Sequence, residues 1–223
     1  ITAGMNHRMP SNRLLQGDVG SGKTMVAFLS ALHAIEAGLQ VAFMAPTEIL
    51  AVQHFDKLQE LAAKLDLRVE CLTGAMPKAK RDLLLEDLRK GFIHLVLGTH
   101  ALIQEDVGYH KLGFVIIDEQ HRFGVHQRAH LQTRTDADGT KPLILVMTAT
   151  PIPRSYALAL FGDLDLSLIK QMPIGRRQII TRLVDEINRH KAYDFIRTQA
   201  GQGRQVFVIC PLIEEKEAPS GRQ

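Results

Sequence analysis

The sequence predicts an α/β fold: a parallel sheet flanked by helices, followed by the opening of a second α/β unit. Three observations carry that prediction. Short apolar runs alternate with longer amphipathic ones, which is the rhythm of βα units. The run Phe114–Ile117 is apolar throughout, as the centre of a parallel sheet requires when both faces are covered. A glycine-rich turn, Gly17 to Thr24, stands between a predicted strand and a predicted helix, the setting of a phosphate-binding loop.

The elements follow in order. Arg13–Gln16 reads as the first strand. Lys23–Ala37 is amphipathic and reads as a helix, with Gly38 supplying its C-terminal cap. Val41–Ala45 is a buried strand. Thr47 can cap a helix running to about Lys64. Arg68–Leu72 is a strand. Lys78–Lys90 is a helix with Pro77 near its start and Gly91 after its end. His94–Leu97, Phe114–Ile117 and Leu143–Met147 are further strands, and Arg154–Phe161 is a short helix ended by Gly162. The turn-prone, basic stretch 171–178 reads as a linker, which places a first lobe at about residues 1–170 and the rest at 171–223. Beyond the linker, Ile179–Val184 is expected to be a strand, Asn188 to cap a helix reaching about Gln199, and Val206–Cys210 to be a buried strand. The loop 132–141 is assigned to solvent.

Composition excludes several classes. Twenty-seven Lys and Arg against 24 Asp and Glu leave a net charge of +3, as consistent with an evenly solvated surface as with an anionic partner. Cys71 and Cys210 are far apart and no Cys/His spacing suits zinc, so no metal cluster is expected. Cys210 is read as buried, and a reducing compartment fits. No apolar stretch approaches the roughly 20 residues of a membrane span. The chain opens at Ile1 and closes in a polar run, and is expected to be a piece of something longer.

Two segments carry chemistry. Gly17-Asp18-Val19-Gly20-Ser21-Gly22-Lys23-Thr24 matches GxxxxGK[ST]. Its glycines let successive N–H groups turn inward around a phosphate, and the following helix adds its positive end. Lys23 reaches the β- and γ-phosphates of ATP, and the Thr24 hydroxyl ligates Mg²⁺. The second segment is an apolar strand ending in Asp118-Glu119. In a parallel sheet this puts two carboxylates at the edge that also holds the phosphate loop. Asp118 is the candidate Mg²⁺ ligand and Glu119 the candidate general base for the attacking water. His121 is either part of this machinery or a hydrogen-bonded surface group. Thr148 and Thr150 end another apolar strand, where their hydroxyls either face the same crevice or cap the next helix.

These segments, with APTEILAVQHF (45–55), LTG (72–74), GTHALI (98–103), DEQHRFGVHQR (118–128) and TATPIPR (148–154), resemble the superfamily-two helicases. Within them the chain looks like the RecG family of bacterial branch-migration helicases, from about Met9 to about Glu215. Transcription-repair coupling factors share the HRFGV and TATPIPR elements, but usually carry Glu where Gln120 stands and lack Gln16 and Glu48. DEAD-box RNA helicases fit less well, because here the box is DEQH and the third motif is TAT.

The resemblance implies a RecA-like motor lobe and a truncated second lobe that use ATP and Mg²⁺ to remodel branched duplex DNA. It makes His121 catalytic, and makes Gln120, Thr148 and Thr150 the coupling between ATP and DNA. Thr47, Gly74, Thr99 and His100 fall in motifs that touch the sugar-phosphate backbone, which suits a motor that must walk on any sequence. Arg122, Arg128 and Arg154 are basic groups near those motifs, with exposed arginines making no specific contact as the alternative. The family's wedge domain and its arginine finger have no counterpart in the sequence, so this chain alone is expected to be nearly inactive. The complete protein is expected to act as a monomer in the bacterial cytoplasm, associated with the nucleoid. Other P-loop enzymes fit less well: neither an acceptor lid nor a transporter signature loop is found. A non-catalytic binding module would not need Lys23, Thr24, Asp118 and Glu119 together.

Overall fold

The computed structural model describes residues 12–104, 106–118, 141–150, 165–171 and 179–210. The chain divides into two units, Ile1–Arg176 and Arg177–Gln223. The first unit is built on one seven-stranded sheet: β1 (Arg13–Gly17), β2 (Gln40–Met44), β3 (Val69–Leu72), β4 (Leu95–Gly98), β5 (Leu112–Asp118), β6 (Leu143–Thr148) and β7 (Asp165–Ile169). All neighbours pair in parallel, in the order β3-β4-β2-β5-β6-β1-β7.

That order fixes where the connections lie. Helix α1 (Lys23–Glu36) carries the chain from β1 to β2, and α2 (Glu48–Ala63) continues the same way to β3. Helix α3 (Lys78–Arg89) and the 3₁₀ turn His100–Ile103 bring it back to β4 and then β5. Right-handed crossovers put outward and returning connections on opposite faces. The two cores agree. On one face Ala27, Phe28 and Ala31 of α1 and Ala51, Leu58 and Ala62 of α2 cover Val41, Phe43, Phe114 and Ile116. On the other, Leu84, Leu85 and Leu88 of α3 and Leu102 and Ile103 cover Ala42, Met44, Val115 and Ile117. The central strands are buried on both sides, which is why their sequences are apolar without alternation.

Local chemistry sets the element ends. The Thr47 side chain accepts the Leu50 N–H at 3.3 Å and caps α2. Gly38 and Gly91 adopt φ of 77° and 81° after α1 and α3, a left-handed conformation that costs a side chain roughly 1 kcal/mol. The β2–β5 register slips by one residue between Gln40 and Val41. Gly113 is the extra residue, and a side chain there would run into Leu39.

Sequence and structure part company in three places. Strand β7 was not expected, because DLSLI is too polar to read as a sheet centre. It is an outer strand, tied by Arg13 to Asp165 (2.8 Å) and Ser167 (3.0 Å). In the second unit, the expected strands 179–184 and 206–210 are not formed. Leu183 and Ile209 are fully exposed, and no strand among the described residues pairs with either segment. Apolar patterning alone does not make a strand: its N–H and C=O groups need a partner ladder. Cys210, expected to be buried, is exposed for the same reason. Helix α4 (Arg189–Gly201) does form. Asn188 precedes it without capping it, because its amide is turned back onto the Asp185 carboxylate at 2.7 Å. The helix expected at 154–161, most of the solvent loop and most of the linker lie outside the described residues.

Candidate active site

Strands β1, β6 and β5 lie side by side, with Gln16 beside Thr148 and Met147 beside Asp118. Their carboxyl ends therefore bring Gly17, Thr148 and Asp118 to one edge. One strand separates β1 from β5, so their ends stand about 10 Å apart at ordinary strand spacing. The chain leaves β1 toward β2 on one side, while the strand after β6 lies on the other side of β1. Neighbouring strands whose connections diverge open a crevice at their carboxyl ends, where α/β sheets bind ligands.

The loop after β1 has the shape its glycines allow. Gly20 and Gly22 adopt φ of 77° and 95°. The Ser21 N–H closes a turn onto the Asp18 carbonyl at 3.1 Å, and the Asp18 carboxylate accepts the Val19 N–H at 2.7 Å. Gly17 has no room for a side chain: a Cβ would come within 2.6 Å of Ser21 Oγ. The Lys23 ammonium folds back over the loop, donating to the carbonyls of Gly17 (2.7 Å) and Asp18 (3.0 Å). Thr24 sits half-buried in the first turn of α1.

These residues fit a nucleotide phosphate. Ser21 Oγ is buried without a hydrogen-bond partner, an orphan that a phosphate oxygen would satisfy. Lys23 is held over the loop by neutral carbonyls, so its charge is available to an anion at the N-terminus of α1. The Gln16 side-chain oxygen is likewise buried and unpartnered. It lines a cavity of about 410 Å³ with Gly17, Asp18, Ala149, Leu168 and Ile169.

Asp118 ends β5 and is only 8% exposed. Its Oδ2 lies 2.9 Å from Nε2 of His54 on α2, whose ring tilts against Phe43 at a centroid distance of 4.9 Å. Sequence reasoning did not single out His54, although it lies within APTEILAVQHF. The missing signal was tertiary, since 64 residues separate the partners. Thr148 is fully buried. Its hydroxyl meets that of Thr150 at 3.0 Å and accepts the Thr150 N–H at 3.2 Å, so it shapes the turn that leaves β6. Glu119, Gln120 and His121 lie outside the described residues, as do Arg122, Arg128 and Arg154. Among the described residues no three His, Cys, Asp or Glu side chains cluster as a metal site, and no helix is long and apolar enough to cross a membrane.

The four backbone-contact candidates occupy the other half of the same edge. Thr47 follows β2, Gly74 follows β3, and Thr99 and His100 follow β4. Thr99 is buried and His100 exposed. The Gly74 N–H donates to the Glu48 carboxylate at 2.7 Å, joining the start of α2 to the loop after β3. The strand order thus separates β5-β6-β1, with the phosphate loop and Asp118, from β3-β4-β2, with these four residues.

A parallel sheet with a phosphate loop at its divergence point and a carboxylate two strands away defines a RecA-like nucleotide-binding lobe. The family model for DEAD/DEAH box helicases matches residues 3–158, and the chain belongs to that family, which implies the use of ATP. Among its relatives are proteins named ATP-dependent DNA helicase RecG. That of Borreliella burgdorferi is 49% identical over 96% of this chain and 30% of the relative. That of Thermotoga maritima is 51% identical over 93% of this chain and 26% of the relative. A solved structure of RecG bound to a three-way DNA junction superposes with a TM-score of 0.79 at 47% identity, covering 95% of this chain and 28% of that one. The chain thus spans about a third or less of the length of these relatives. A DNA-bound DUF1998 helicase, MrfA, at 21% identity and TM-score 0.58 over 71% of this chain and 25% of that one, shares the fold.

Proposed function

We propose that this chain is the ATP-binding motor lobe, with the start of a second lobe, of a RecG-type DNA helicase that remodels replication forks and Holliday-type junctions. One observation carries the reading. The loop Gly17–Thr24 and the Asp118 carboxylate share one sheet edge, in a chain about half identical to proteins named RecG over nearly its whole length.

In this reading the backbone of Gly17 to Gly22 cradles the phosphates and Lys23 moves from its loop carbonyls onto the β- and γ-oxygens. Thr24 and Asp118 hold Mg²⁺, which when bound neutralises phosphate charge. Glu119 takes a proton from the attacking water, and His121 is the further catalytic group. Gln120, Thr148 and Thr150 pass the state of the nucleotide to the other half of the edge. There Thr47, Gly74, Thr99 and His100 hold the sugar-phosphate backbone, and contacts of this kind track any sequence. Residues 1–170 form the first lobe, and 171–223 are the linker and the opening of the second. The complete protein works as a monomer associated with the nucleoid.

The test is nucleotide binding and hydrolysis by the complete protein and by Lys23→Ala. The expected result is weakened ATP-analogue binding and loss of DNA-stimulated hydrolysis by at least ~100-fold, in line with removing a phosphate-charge partner. The 223-residue chain alone should hydrolyse ATP very slowly, because the second lobe's arginine contributes on the order of 10³–10⁵ in rate in related hydrolases. A Lys23→Ala protein with undiminished hydrolysis would refute the motor-lobe reading.

A further inference from the structure

We propose that His54 is the positioning residue for Asp118: its Nε2–H takes one carboxylate oxygen and leaves the other directed to the nucleotide side. The inference rests on the nucleotide-binding reading above, and no motif role assigned so far includes His54.

The geometry is specific. An ionised carboxylate only accepts hydrogen bonds, so the 2.9 Å contact is a donation from His54 Nε2 to Asp118 Oδ2. Both side chains are largely withdrawn from water, at 14% and 12% exposure. A carboxylate that far from solvent needs a hydrogen-bond donor, and among the described residues His54 Nε2 is placed to be one at 2.9 Å.

The imidazole is itself held in place. His54 lies on α2 between Ala51 and Leu58, both buried, so it belongs to the stripe that faces the sheet. Its ring rests on Phe43 at 4.9 Å and 43°. Phe43 is fully buried in β2, the strand that pairs with β5 just before Asp118. A histidine on a core-facing stripe is commonly a satisfied packing residue. Here its partner is the one carboxylate of the described residues that ends a central strand beside the phosphate-loop edge.

The consequence is an ordered ligand. An aspartate at a strand end has two soft side-chain torsions. With Oδ2 fixed by His54, those torsions are set, and Oδ1 keeps one direction. Hydrogen-bond partners behind a metal ligand typically change metal affinity or activity by 10–100-fold. His54 therefore governs how much Mg²⁺ adds to nucleotide binding by acting through Asp118.

The experiment uses the complete protein with His54→Ala, His54→Gln and Lys23→Ala. Affinity for a fluorescent ATP analogue is measured in EDTA and in Mg²⁺, and hydrolysis is followed against Mg²⁺ concentration. Expected for His54→Ala is an EDTA affinity within about twofold of wild type, with the gain from Mg²⁺ reduced about 10-fold or more and the Mg²⁺ requirement raised similarly. His54→Gln, whose amide N–H reaches about as far as Nε2, restores both to within about threefold. If His54→Ala does not fold, His54→Asn replaces it, since its shorter amide falls short of Asp118. An unchanged Mg²⁺ gain in His54→Ala, or in His54→Asn where it stands in, overturns the proposal. So does equal loss in EDTA and Mg²⁺ that His54→Gln fails to restore, which would make His54 a packing residue. Lys23→Ala separates the two levels. If it binds nucleotide like wild type, the nucleotide reading itself has failed. If it loses binding while the His54 variants keep their Mg²⁺ gain, only the His54 inference has failed.

Discussion

Gln40 offers a quantitative test of what holds the sheet to its return connections. It is 4% exposed and serves four backbone groups. Its amide nitrogen donates to the carbonyls of Leu88 (2.9 Å) and Ile93 (2.8 Å), and its oxygen accepts the N–H groups of His110 (2.7 Å) and Lys111 (3.1 Å). One side chain thereby joins the end of α3 and the approach to β4 with the approach to β5. Gln40→Leu keeps the volume and removes all four bonds. The Leu88 carbonyl retains the Gly91 N–H at 3.2 Å. The Ile93 carbonyl is buried and loses a partner, at about 1–3 kcal/mol, while the two N–H groups near the surface lose about 0.5–1 kcal/mol each because water replaces part of the bond. The expected loss is about 3 kcal/mol, read as the shift in urea unfolding of the 223-residue chain followed by far-ultraviolet circular dichroism. Gln40→Glu separates hydrogen bonding from shape. At neutral pH it sets a carboxylate oxygen against two carbonyls, so it should cost more than leucine. Burial among acceptors raises that carboxyl's pKa, so the deficit relative to wild type should shrink as pH falls and the group regains a donor. A loss below about 1 kcal/mol for Gln40→Leu, or a glutamate no worse than leucine, would refute this account.

Two further outcomes follow from burial and backbone geometry. Burial pushes the Cys71 thiol up to about 11, with Asp56, Glu48 and Glu70 adding smaller repulsions, whereas Cys210 is exposed. At pH 8 a thiol reagent should therefore label one cysteine per native chain quickly and the second only on unfolding, and two fast labels would contradict the burial of Cys71. Because the folded form holds the Cys71 proton more tightly, stability from this group is constant below its ordinary value of 9.0 and falls as pH rises toward 11. Gly38→Ala and Gly113→Ala separate two kinds of glycine. At Gly38 a Cβ meets open space but φ is 77°, so the cost is strain of about 1 kcal/mol. At Gly113 φ is ordinary but the Cβ runs into Leu39, so the loss should exceed that of Gly38→Ala, about 1–3 kcal/mol as overpacking usually costs. The reverse ranking in thermal melts would contradict the bulge geometry.

Much of the first unit was written locally. Apolar runs flanked by amphipathic ones located six of the seven strands and three helices, because a strand covered on both faces must be apolar throughout. Thr47, Gly38 and Gly91 marked element ends through chemistry that acts over a few residues. The phosphate loop was equally legible, since glycines and a lysine at fixed spacing are needed wherever a backbone must wrap an anion.

Pairing partners were not written there. Strand β7 forms because Arg13 and β1 offer it an edge, whereas the more apolar segments at 179–184 and 206–210 form no strand for want of a ladder among the described residues. Strand order likewise had to come from the fold: only the sequence β3-β4-β2-β5-β6-β1-β7 shows that the phosphate loop and Asp118 share one half of the edge while Thr47, Gly74, Thr99 and His100 share the other. His54 is the sharpest case. Its residue type and helical position were plain in the sequence, but its partner is 64 residues away. The sequence by itself determined which chemical groups are present and which local shapes they adopt, because those depend on neighbours along the chain. The tertiary structure alone decided which of those groups meet, because hydrogen bonds and sheet ladders form between segments whose separation in sequence carries no distance information.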